Sequence, residues 1–251
     1  MVCVGHTGAK AGISCASFDA AGGISAFDEL RPFDLKQSNP PTGPENGIGI
    51  TFFNEDSSQL ITMVKGNPKD PNQALPGFVS VFPVENGQVA AKDEQTTPTG
   101  TAVLFGAAPI PNSNNVLATD ASFGAATLDT TNLAVPLAMT KLDNQKATCW
   151  ATISDVTGTG FVTDVGVNHL VEIDPASGEK LLDLQSQNGN PGMIDLQASG
   201  NMIYALAPGN GTTPAAVTVF DISGGKGQAK EVQNFVVDGA DNRAMGMAFH
   251  T

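Results

Sequence analysis

Basic residues are scarce in this chain. Lys and Arg together number 12 against 25 Asp and Glu, for a net charge of −13, and only Arg31 and Arg243 are arginines. Such a field repels phosphate backbones and anionic headgroups, which argues against nucleic acid or a membrane surface as partner. The three histidines and three cysteines lie far apart with no Cys-x-x-Cys, so no zinc site or other metal centre is read. Long apolar runs are missing too: nothing approaches the ~20 residues of a membrane span, and the opening MVCVGHTGAK has no apolar leader core. A Gly-x-Ser-x-Gly elbow is absent, which leaves a serine hydrolase without support. GAKAG and GNG lack the Lys-Ser/Thr ending of a phosphate cradle, and no cofactor is indicated.

What the chain has is turn chemistry. With 28 Gly, 16 Pro and only 15% charged residues in 251, the composition suits many short strands joined by tight turns. One plan recurs: a strand, a Gly/Asn-rich loop, a second strand of alternating polarity, and an Asn-Gly, Ser-Gly or Gly-Gly turn. It is read in MVCVGHTG/ISCASFDAAGG, QLITMVKG/FVSVFPVENG, NVLATDAS/GAATLDTTN, FVTDVGVNHLVEIDPASG and NMIYALAP/AVTVFDISGG. Ahead of the later copies stand the apolar runs GIGITFF, TAVLFG, TCWATI and GMIDLQ, and behind them come polar segments such as QVAAKD and KLLDLQ. Four strands at a period of roughly 40 to 60 residues describe a β-propeller blade. The expectation is an all-β fold, a β-propeller of four-stranded antiparallel blades, about five in this chain, forming a single domain over residues 1–251. Its alternative is a two-sheet sandwich. The terminal RAMGMAFHT reads as a first strand, expected to pair beside VCVGH and close the ring.

In such blades the loops between second and third strands share a face with the connections from one blade to the next. That face gathers residues 6–12, 40–47, 65–76, 96–101, 120–123, 144–146, 164–169, 188–192, 208–214 and 238–243. Its chemistry-bearing side chains are His6, Glu45, Lys65, Asp164, Asn168, His169 and Arg243, with Asp195, Asp238 and Asp241 nearby. His169 is read on the rim, either as a proton-transfer group near neutrality or as a residue that turns and caps the third strand. Arg243 is the best placed cation at the channel mouth, whereas Arg31 lies on an outer strand as a surface ion pair. Cys3 and Cys15 face each other across a hairpin, either bridged or as small buried apolar residues, and Cys149 sits in an inner strand. Asn210-Gly211-Thr212 is a sequon in a Gly/Thr/Pro loop, where a glycan attaches if the chain is secreted.

The runs VCVGHTGAKAGISCASF, RPFDL, TFFNEDSSQLITMVKG, GFVSVFPVENG and GFVTDVGVNHLVEID resemble the fungal secreted lactonase-like β-propeller group labelled 3-carboxymuconate cyclase. Members of that group have a signal peptide and seven blades, so the chain looks like a C-terminal part. The resemblance implies an extracellular setting, in which the Cys3–Cys15 bridge and a glycan on Asn210 gain weight. It also implies a cycloisomerase or lactone hydrolase acting on a small polar carboxylate or lactone, with His169, Arg243 and Glu45 as catalytic candidates. Asp164, Asn168, Lys65 and His6 would then contact the ligand. A lactonising enzyme needs several cations to hold its carboxylates, and two arginines are few. The alternative is a secreted propeller without catalysis that binds a cell-surface glycan or protein.

Overall fold

The computed structural model describes residues 1–69 and 74–248, and every regular element among them is a strand. Gly-rich punctuation is the cause. At Asn86-Gly87 both residues take positive φ (51° and 72°), the geometry of a two-residue hairpin, and Glu85 pairs with Gln88 across it.

The first sheet contains β1 (Val2–His6), β2 (Gly12–Ala16) and, after a small ribbon of β3 (Phe18–Asp19) and β4 (Gly23–Ile24), β5 (Arg31–Pro32), in the order β1-β2-β5. The second has β6 (Ile48–Phe53), β7 (Gln59–Val64), β8 (Phe78–Glu85) and β10 (Glu94–Thr96) in spatial sequence, with the short β9 (Gln88–Val89) branching from β8. The third runs β11 (Leu104–Pro109), β12 (Asn115–Asp120), β13 (Gly124–Asp129), β14 (Ala138–Lys141). The fourth runs β15 (Thr148–Ile153), β16 (Gly160–Asp164), β17 (Val167–Ile173), β18 (Lys180–Gln185). The fifth runs β19 (Asp195–Ser199), β20 (Met202–Ala207), β21 (Ala216–Asp221), β22 (Lys230–Val236). All pairings are antiparallel, and apart from β2–β5 and β8–β10, which pass over the short β3–β4 ribbon and β9, they join sequence neighbours, the up-and-down order of propeller blades.

Two details differ from the sequence pattern. The outermost strand of the second blade is Glu94–Thr96, not QVAAKD, because Val84–Val89 closes a tight ribbon and only residues beyond it return to β8. Residues 243–248 form no strand, and among the described residues the sheet holding β1 contains only β2 and β5 besides it. The Met247 N–H, which a ladder would use, is donated to Asp195 Oδ2 at 2.7 Å. Phe249, His250 and Thr251, the end of the proposed closing strand, lie outside the described residues, as do positions 70–73 of the 65–76 loop.

The chain divides into two compact units, Met1–Phe105 with Thr130–Val135, and Gly106–Asp129 with Pro136–Thr251. In the first unit Leu60, Val64, Phe82, Phe33 and Ile13 form the core, with Phe33 set edge-on to Phe78 (89°) and stacked on Phe82 (28°). In the second, one cluster centres on Phe161, Leu170, Leu196 and Phe220, and another on Leu117, Val162 and Val171. Inner strands approach closely through glycine: a Cβ on Gly106 would lie 2.5 Å from the Cys149 carbonyl oxygen.

Candidate functional site

His169 lies within β17, not on the rim. The turn after β16 is only Val165-Gly166, so Val167 already belongs to the strand and His169 pairs with Gln185 of β18. Its ring is 2% exposed, with Nδ1 2.9 Å from Asp183 Oδ1 and 3.1 Å from Gln185 Nε2. Burial pushes the Asp183 carboxyl up, but the hydrogen bond and charge of His169, with Gln185 and Lys180, hold it below the usual carboxylate value. The imidazole thus serves to tie the third strand to the fourth.

Asp164, fully buried at the end of β16, is spent in the same way. Its Oδ2 accepts the N–H groups of Lys146 (2.7 Å) and Ala147 (2.9 Å), and its Oδ1 accepts that of Gly166 (2.7 Å). Asp120 ends β12 similarly, with Oδ1 accepting from the N–H and hydroxyl of Ser122. These aspartates hold connecting loops down by satisfying backbone donors that would otherwise be buried unpaired. Asn168 donates to Asn188 Oδ1 at 2.9 Å, and Asn188 in turn donates to Thr218 Oγ1 and Glu231 Oε1, linking the fourth blade to the outer strands of the fifth. Sequence reasoning missed that network. Its trace is the Asn-Gly-Asn-Pro of residues 188–191.

Arg243 is 86% exposed and forks onto Asp241, two residues away. Glu45 is exposed on a loop of the first unit, the other unit from His169 and Arg243. These three catalytic candidates are therefore separately engaged or solvated. Asp195 is an acid whose pKa is raised. Burial raises its pKa against the hydrogen bonds from the Met247 and Leu196 N–H groups, and its buried Oδ1 has no partner among the described residues.

In the first unit the loops do converge. Gln37 accepts from the Gly8 N–H (2.8 Å) and donates to the Glu45 carbonyl (3.2 Å), tying the 6–12 loop to the 40–47 loop. Beside them is a cavity of about 200 Å³ lined by Leu35, Val64, Leu75, Pro76 and Phe78 on its apolar side, and by Asp34, Asn46 and Lys65. Lys65 follows β7, its N–H donating to the Gly47 carbonyl at 2.8 Å and its ammonium lying 4.4 Å from the Phe105 ring centroid. Asn46 takes φ 51°, and its Oδ1 is buried without a hydrogen-bond partner. A buried acceptor left without a partner beside a cleft is one that a donor from a ligand would satisfy. The half-buried His6 at the end of β1 has a buried, unpartnered Nε2 as well. The Asn46-Gly47 dipeptide was the sequence signal for a left-handed position here.

A second cavity, about 450 Å³, lies where β2 ends, lined among others by Cys15, Phe18, Asp28, Arg31 and Val89. Arg31, on the edge strand β5, forms the expected ion pair, with Asp28, but is more buried than a surface residue. Its side chain is 11% exposed, holds Asp28 through both Nη atoms, and donates to the Ala90 and Val89 carbonyls at 2.7 and 2.9 Å. Its donors are thereby used internally. Cys3 and Cys15, directly opposed across β1 and β2, are joined by a disulfide, and Cys149 is free and buried in β15. Among the described residues no cluster of His, Cys, Asp and Glu is arranged to hold a metal.

No family model matches the chain, and no curated protein does. Solved structures match by fold at 13–16% identity, which carries the architecture alone. A nidogen/laminin complex matches with TM-score 0.59 over 90% of this chain and 72% of that one. Kuenenia stuttgartiensis hydrazine synthase matches with TM-score 0.56 over 78% of this chain, and the chain spans only about half (50%) of its length. Chaetomium thermophilum Sqt1, bound to the N-terminus of ribosomal protein L10, matches with TM-score 0.55 over 88% of this chain and 56% of that one. The fold is that of a β-propeller.

Proposed function

We propose that this chain works as an extracellular binding propeller whose ligand is an extended, basic segment of a partner protein, held by the loops around Asn46 and Lys65. The carrying observation is the cleft itself: an apolar floor of one side chain's size bordered by Asn46, whose buried Oδ1 lacks a partner and would accept a peptide N–H once the loop yields to the ligand. The net charge of −13 favours a cationic partner and speeds its approach. The Cys3–Cys15 disulfide supports an oxidising compartment.

Selection of displayed random peptides on the immobilised chain tests this. The account expects sequences with one apolar residue flanked by Lys or Arg. Their binding should fall about tenfold in Asn46→Gly, which keeps the left-handed backbone but removes the acceptor, as loss of one hydrogen bond of ~1.4 kcal/mol would give. Selected peptides without that pattern, or an Asn46→Gly variant that binds equally well, would sink it.

A lactonase or carboxymuconate cyclase-like enzyme is the second reading, favoured by the family resemblance of the runs from VCVGHTGAKAGISCASF to GFVTDVGVNHLVEID. It requires cations gathered on one small carboxylate or lactone. Lys65 is the cation that lines the loop-side cleft, and a cell-surface glycan is the remaining ligand class for that face.

A further inference from the structure

We propose that Asn210 is an N-glycosylation acceptor, modified by transfer from a lipid-pyrophosphate-linked oligosaccharide. The Asn210-Gly211-Thr212 triplet is the one Asn-x-Ser/Thr in the chain, with glycine rather than proline in the middle. It lies on the loop between β20 and β21, where Asn210 and Thr212 are both exposed.

The loop already has the local geometry that the chemistry uses. Asn210 Oδ1 accepts from the Thr212 hydroxyl (2.8 Å), the Thr212 N–H (3.0 Å) and the Thr213 N–H (2.8 Å). Three donors on the amide oxygen draw electron density from the amide and make its Nδ2 protons easier to remove. They also fold the triplet into a tight side-chain turn closed by Asn210 N–H to the Thr213 carbonyl at 3.1 Å. Access is open around the middle residue: Gly211 has φ 90°, and a Cβ there would meet no atom within 4 Å. At the base of the loop a Cβ on Gly209 would sit 2.3 Å from the Thr213 carbonyl oxygen, so the loop is pinched at its stem and free at its tip.

In the transfer, Nδ2 of Asn210 forms a bond to the anomeric carbon of the sugar. The bond from that carbon to the phosphate oxygen breaks, the lipid pyrophosphate leaves as an anion, and one amide proton passes to the transferase's base. No oxidant or reductant is needed. A separate observation supports a compartment where such donors occur: the Cys3–Cys15 disulfide is suited to the same oxidising compartments. The inference rests on the extracellular reading in that respect alone.

The test is translation of the full chain behind a cleavable leader in the presence of microsomes, so that entry into the lumen is read separately by protease protection. The protected chain should carry one endoglycosidase-sensitive mobility increment in the wild type and in Thr212→Ser, and none in Asn210→Gln or Thr212→Ala. A protected wild-type chain without the increment, or an increment that survives Asn210→Gln, would overturn the proposal. Failure of peptide binding at the Asn46 cleft would leave this result untouched.

Discussion

Two aspartates of the second unit show how position decides what a carboxylate does. Asp183 meets His169, Gln185 and Lys180, and its pKa falls; Asp195 is buried with one oxygen unpartnered, and its pKa rises. Their pH effects have opposite sign. Asp183 contributes stability that is present above the unfolded value of 3.8 and is lost as pH falls through its lower folded value. Asp195 favours the folded state fully below 3.8, and this contribution is lost as pH rises through its higher folded value. Asp195→Asn keeps an acceptor for the Met247 N–H while removing the charge. Melting temperatures of variant and wild type, followed from acid to neutral pH, should therefore diverge upward in the variant's favour above the ordinary Asp range. A constant difference across that range would contradict the assignment.

Elements were legible in the sequence wherever two signals coincided. TCWATI, an apolar run ahead of a Gly-containing turn, is β15 with the same bounds, and KLLDLQ, a more polar segment behind the Ser-Gly turn, is β18. Polar segments without alternation, such as QVAAKD, gave no such agreement, and the outermost strand of the second blade was placed too early. His169 went astray for a finer reason. Whether a residue is on the rim or in the strand depends on a two-residue turn and on the register shift beside Asp164, neither of which alternation resolves. Inner-strand glycine, by contrast, has a measurable role. Gly106→Ala would drive a Cβ into the Cys149 carbonyl, and urea denaturation should show a loss of roughly 1–3 kcal/mol, in the range for overpacking. An unchanged midpoint would mean that the inner strands separate freely.

On the scale of the whole molecule, repetition was readable and the site was not. Strand, loop, strand and turn recur at a period that composition alone supports, so the blades follow from local rules. Asn46-Gly47 marks a left-handed turn locally, but the cleft depends on Leu35, Asn46, Lys65 and Pro76 meeting from segments far apart in sequence. The account's central claim is that the chain acts by binding and that His169, Arg243 and Glu45 do no chemistry. Steady-state turnover of a panel of γ-lactones and muconate-type carboxylates, measured for the wild type and for the variant His169→Gln/Arg243→Gln/Glu45→Gln, tests it most directly. Both proteins should match the protein-free rate, while the variant loses about 1–3 kcal/mol of stability through the broken His169–Asp183 contact. Saturable wild-type turnover that disappears in the folded variant would contradict the claim.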